Sequence, residues 1–201
     1  MSLKLTRTVG SGSIPVWQGL GKDIQLLQGG VLLDTTTLPK DTVIPAGTPL
    51  IVNESARTAT ILPSGVLYAN AGGTDTTYQV KKGHTLKVGD YFATGAAGGK
   101  AYAITAIDTS NADYDVITVG TTIGAATAGD LMYGSTATGA TASAYPAANA
   151  LLYADTVVGE QGVDEEVSAV IRGTVYARRV PYNATIAAIT GLSKIIYSQS
   201  K

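Results

Sequence analysis

Apolar residues come in short clusters along this chain, set apart by Gly, Pro and Ser, and that pattern predicts brief strands joined by turns. The first clusters are Val31, Leu32 and Leu33, then Val43 and Ile44, then Leu50, Ile51 and Val52. Between the last two lie Pro45, Ala46, Gly47, Thr48 and Pro49, with Pro45 and Gly47 suited to a tight turn. Residues 58–62 and 66–69 are further strand candidates, split by Pro63, Ser64 and Gly65. Residues 100–108 alternate, and 115–119 pair with them as a hairpin across 109–114. Val88, Gly89, Asp90, Tyr91 and Phe92 are echoed by Ala128, Gly129, Asp130, Leu131 and Met132, an echo too short for a structural repeat that fits two equivalent corners of one small barrel. Residues 150–158, 167–177 and 195–197 read as later strands. Residues 181–192 are the best helix candidate, with Ile186 and Ile189 three apart on one face and Gly191 placed to cap the end.

The fold class that follows is mainly β. Five or six short strands in 78–134 predict a small SH3-like barrel. It is inserted into a β-rich domain made of 31–77 and 148–201, which carries the one short C-terminal helix. Residues 135–147, rich in Gly, Ala and Thr, are a surface linker, and residues 1–30 are an N-terminal arm. In that arm Ile14, Pro15, Val16 and Trp17 follow a flexible Gly10, Ser11, Gly12, Ser13 stretch. A lone Trp in such a leader either folds back on the core or docks on another molecule.

Composition supports this picture and removes several function classes. Thr and Val favour a pleated, half-buried surface, and 24 Gly supply turns. Eleven Tyr stand against one Phe, which suits sheet rims and shallow interfaces that take a ring on one side and water on the other. Charged residues make up 14% and the net charge is −1, with Lys and Arg scattered, so no basic stripe marks a nucleic-acid partner. The chain has no cysteine, which excludes disulfides and thiolate metal sites. No apolar run approaches the roughly 20 residues of a membrane span, and the start of the chain lacks the apolar core of a secretory signal.

Candidate chemistry is sparse. His84 is the chain's one histidine and sits beside Gly83 in a predicted turn, where an exposed or hydrogen-bonded ring is the ordinary reading. Asp108, Asn111, Asp113 and Asp115 come nearest to a calcium loop, but the EF-hand spacing wants Gly at the sixth position and Glu at the twelfth, where Asp113 and Val119 stand. A hairpin loop fits these residues better, since Asn and Asp start turns by accepting from their own backbone. Asp164, Glu165 and Glu166 form the one acidic cluster. Consecutive residues of an extended chain alternate sides, so the three cannot face one catalytic site and read as a solvated loop. The expectation is a non-enzyme without cofactor or metal.

Two stretches resemble the decoration and head-fibre proteins of tailed-phage capsids. One is the strand-turn of residues 43–52, Val-Ile-Pro-Ala-Gly-Thr-Pro-Leu-Ile-Val. The other is Val170 to Tyr176 followed by Arg179, Val180, Pro181, Tyr182 and the helix-like stretch. The resemblance implies a structural virion protein, assembled in the host cytoplasm and placed on the outer capsid surface. It implies the major capsid protein as partner, a homotrimer, and an arm through Ile14, Pro15, Val16 and Trp17 that lies on the shell. A glycan-binding or adhesin-type module of a bacterial surface protein is the alternative, and host-surface glycans remain a further partner class for the barrel. Neither reading involves nucleic acid or membrane.

Overall fold

A computed structural model describes residues 15–18, 23–95, 97–181 and 190–198. The protein is mainly β, as the short apolar clusters predict. Most of its strands fall into two sheets, and the division follows the sequence closely. The first sheet holds β1 (Trp17–Gln18), β2 (Gln25–Leu26), β3 (Val31–Leu33), β5 (Pro49–Asn53), β6 (Thr58–Ile61), β13 (Ala150–Leu152), β15 (Glu165–Val167), β16 (Ala169–Tyr176) and β17 (Ile195–Ser198). The second holds β7 (Ser64–Val66), β8 (Thr77–Lys81), β9 (Tyr91–Thr94), β10 (Ala101–Asp108), β11 (Tyr114–Val119) and β12 (Leu131–Ser135). A two-stranded ribbon pairs β4 (Val43–Ile44) with β14 (Thr156–Val157).

The first sheet runs β1-β16-β13-β5-β6-β3-β15, so strands from both ends of the chain interleave. Its centre is a turn that the residues dictate. Thr48 N–H and hydroxyl both donate to Pro45 O, at 3.2 and 2.7 Å, and Gly47 takes φ +82°. That is a type II turn, which needs glycine at its third position. The glycine also makes room: a Cβ there would lie 2.6 Å from Val180 Cγ1 and 3.0 Å from Val16 Cγ1. Beneath it Leu62, Leu151, Val170 and Val175 are fully buried, and Leu33, Leu50, Ala59 and Leu152 continue the core. Each large side chain so buried contributes about 1.5–3 kcal/mol.

The second sheet is contiguous in sequence, order β7-β12-β9-β10-β11-β8. It curls until its end strands meet, with a bridge between Leu67 and Val80 and Tyr68 N–H donating to Gln79 O at 2.7 Å. The curl rests on two corners of identical construction. Gly89 N–H donates to Ile104 O at 2.9 Å and Ile104 N–H to Asp90 O at 2.8 Å; Gly129 and Asp130 make the same pair with Leu67, both at 2.9 Å. Two residues thus face one, with the glycine left-handed at φ +97° or +94°, which is a bulge that bends its strand. Each aspartate closes its own turn by accepting a backbone N–H, from Lys87 at 2.9 Å and from Thr127 at 2.7 Å. The repeated Gly-Asp motif is therefore one structural device used twice, and it feeds the adjacent strands β9 and β12. Inside the curl lie Tyr78, Phe92, Ile104, Ile117 and Met132.

Three expectations are corrected in detail. The second sheet begins at Ser64, not Tyr78: β7 pairs with β12, and its Gly65 hides the alternation that would have marked it. A Cβ on Gly65 would come within 2.6 Å of Val80 Cγ1, so only glycine lets β7 lie this close to β8. Residues 135–147 are a tethered return segment: Ser135 Oγ accepts from Ala144 N–H at 2.9 Å, and Ser143 Oγ accepts from Gly99 N–H at 2.7 Å. The acidic cluster lies largely in β15, where Glu165 pairs with Leu33 and accepts from Gly159 N–H at 2.7 Å.

The helix expected over 181–192 lies mostly outside the described residues. Its last part, Thr190–Leu192, is a 3-10 turn. Gly191 is not a left-handed cap there. A Cβ at this position would sit 2.2 Å from the Ala148 carbonyl oxygen, so the glycine serves a close backbone crossing.

Candidate partner-binding arm and buried charged cluster

Of the four arm residues singled out, Ile14 lies outside the described residues, and the other three are placed by the first sheet. Pro15 is exposed, and its carbonyl accepts from Arg179 Nη1 at 2.9 Å. Val16 is 7% exposed and belongs to the core beside Gly47 and Val180. Trp17 pairs with Val175 as β1, stacks on Tyr153 with ring centroids 6.1 Å apart, and donates its indole N–H to Tyr153 O at 2.6 Å. The indole thus finds both its apolar and its polar partner within its own chain, as a buried or half-buried Trp must. Arg179 also lies 4.4 Å above the Tyr176 ring, adding a cation–π contact to the same corner. Beyond β1 the chain returns to the same strand as β2, pairing with Val170 and Arg172.

The second unit contains a buried charged cluster, and strand periodicity marks one member of it, Asp115. In β11, Tyr114, Val116 and Thr118 face outward while Asp115, Ile117 and Val119 face inward. An inward carboxylate needs charged or hydrogen-bonding partners, and Asp115, 6% exposed, has two. Lys82 Nζ binds its Oδ1, and His84 Nε2 lies 3.2 Å from its Oδ2. Lys82 also donates to Thr109 O at 3.0 Å, closing the β10–β11 loop. The His84 side chain is only 7% exposed, and its Nδ1 accepts from Leu86 N–H at 3.2 Å. An accepting Nδ1 places the proton of the neutral ring on Nε2. That nitrogen is buried within ion-pair distance of Asp115 but makes no hydrogen bond, so Nδ1 alone ties the ring to its surroundings. Burial pushes the imidazole pKa below its ordinary value, outweighing the upward pull of Asp115.

The remaining calcium-loop residues serve as hairpin punctuation. Asp108 Oδ1 accepts from Ser110 N–H and Asn111 Oδ1 from Asp113 N–H, both at 2.9 Å. The Ser110 bonds hold the Asp108 carboxyl below its ordinary pKa. Among the described residues no three carboxylate or imidazole groups converge as metal ligands would. On the outer face of the second unit, Tyr68 is 42% exposed and packs against Tyr114 with centroids 4.9 Å apart. The sequence gives no signal for that pair, because it arises only when the sheet closes between β7 and β8.

The chain matches no family model, no curated protein and no solved structure.

Proposed function

We propose that this is a non-enzymatic structural protein of a phage particle, which binds the outer surface of the capsid and decorates or stabilises it. The observation that carries this reading is the path of the chain. β1, β2 and β17, the outermost described segments in sequence, all lie on β16, and the second unit hangs from the first by two crossings, residues 62–63 and 136–149. Such a layout suits a base that grips a surface and a head that projects from it. In this reading the first unit is the decoration-type domain. The second is an inserted SH3-like barrel facing outward, as in a head fibre.

The arm role of Ile14, Pro15, Val16 and Trp17 takes a definite form. Val16 and Trp17 seat the arm on its own sheet, and Ile14 and Pro15 lead toward the major capsid protein. A homotrimer on the virion surface is the assembly proposed. The test mixes undecorated capsids with the full chain and with a variant lacking residues 1–14, reading binding by co-sedimentation and electron microscopy. The full chain is expected to bind, and the shortened one to lose binding while keeping its thermal transition. Failure of the full chain to bind would sink the proposal.

The pair formed by exposed Tyr68 and half-buried Tyr114 favours a second reading for the outward unit, a glycan-binding module. Tyrosine rings stack on sugar faces while their hydroxyls stay in water. A glycan array probed with the full chain and with Tyr68→Ala decides it: binding lost with Tyr68 supports the sugar site, and no binding by the full chain removes it.

A further inference from the structure

The loop after β8 is a seam between the two units. Gly83 and Thr85 face Ile44, Pro45 and Ile61 of the first unit across a small cavity. Thr85 clamps the crossing where the chain leaves the first sheet. Its hydroxyl accepts from Ser64 N–H at 2.9 Å and reaches Leu62 O at 3.1 Å, and its N–H donates to Ser64 O at 2.9 Å. His84 and Leu86 flank this threonine, and they are tied to each other through Nδ1.

That tie depends on a neutral ring. A second proton would land on Nδ1, turning the acceptor into a donor aimed at the Leu86 N–H. On the β7 side His84 packs close to the backbone of Gly65, where an added Cβ would lie 2.8 Å from His84 Cβ. The charged groups facing the imidazole are Asp115 from β11 and Lys82 from the end of β8. β7 presents Gly65, which has no titratable group. Asp115 favours the added proton, but Lys82 already holds that carboxylate and repels it.

We propose that residues 82–86 are an acid-released latch: protonation of His84 breaks the Leu86 N–H to Nδ1 bond and frees the Thr85 clamp, uncoupling the two β units while each keeps its own core. The direction follows from linkage. A base whose folded pKa lies below 6.5 contributes stability that is complete above 6.5 and lost as pH falls through the folded value. The latch is therefore closed at neutral pH and opens on the acid side, whatever the protein binds.

His84 is the chain's one histidine, so its ring signals in a proton NMR titration of the full chain need no assignment by mutation. The expected result is a pKa below 6.5, with hydrogen-exchange protection of Thr85 and Leu86 falling about tenfold through the same pH and protection of Tyr78 and Leu151 unchanged. The second arm is His84→Asn, whose side-chain oxygen accepts the N–H two residues on but does not titrate. Its latch protection is expected to stay constant from about pH 7 to about pH 5. A wild-type pKa at or above 6.5, or protection of Thr85 and Leu86 that survives the titration, would overturn the latch. Loss of protection in His84→Asn over the same range would do so as well. If the variant does not fold, the wild-type titration alone decides.

Discussion

The two units reach stability by opposite routes. The first assembles β16 from partners in β1, β2, β13 and β17, drawn from both ends of the chain. Its order depends on loop closures that span most of the sequence, each of which must be paid for in entropy before the contact forms. The second unit uses residues 64–135 without interruption, and its curl comes from one Gly-Asp corner used twice. Local devices build the second, and long-range packing builds the first. The lesson is that short motifs carry most information where the structure is local, and least where distant strands must meet.

The comparison breaks most sharply at the first core. Leu151→Ala removes a fully buried side chain and is expected to cost about 2–5 kcal/mol. Calorimetry should then show two transitions where the first unit melts early, with exchange protection of Phe92 and Ile104 retained. A single transition moved as a whole would mean that the units are one cooperative body.

At the turn beneath β1, Gly47→Ala forces a left-handed residue and a Cβ into Val180. About 1–3 kcal/mol of strain is expected, read as a lower melting temperature with Trp17 fluorescence moving toward that of exposed indole. On the other side, Tyr78→Phe deletes a hydroxyl that takes Ile123 N–H at 3.1 Å and donates to Asp75 O at 2.7 Å. Leaving the buried Ile123 N–H unpaired is expected to cost about 1–3 kcal/mol, seen as faster exchange at Ile123 while the first unit is untouched.

The smallest effect tests the equivalence of the corners. Asp90→Ala and Asp130→Ala each lose one turn-closing acceptor, at about 0.5–1.5 kcal/mol apiece. Denaturant melts should give similar losses for the two. A loss at one corner several times that at the other would mean that the shared geometry conceals different energetic roles.

Much of this was legible in the residues themselves. The turn at Pro45 to Thr48, the hairpin joining 100–108 to 115–119 and the paired Gly-Asp corners all follow from backbone demands that only a few residue types meet. Ile14, Pro15, Val16 and Trp17 were legible as an arm, but whether its Trp17 folded back on the chain was not. Gly65 concealed a strand because a residue without a side chain has no face to reveal, and Gly191 was read as a cap when its role is a close crossing over Ala148.

The β character and the turns were readable from the residues alone, since period and turn chemistry act over a few residues; Asp115, read there as a loop residue, is an inward position of β11. Long-range packing alone seats Trp17 on Tyr153, joins β7 to the second sheet, and brings Lys82 and His84 together at Asp115. Those outcomes depend on which distant surfaces meet, and burial supplies that free energy without writing a local signature.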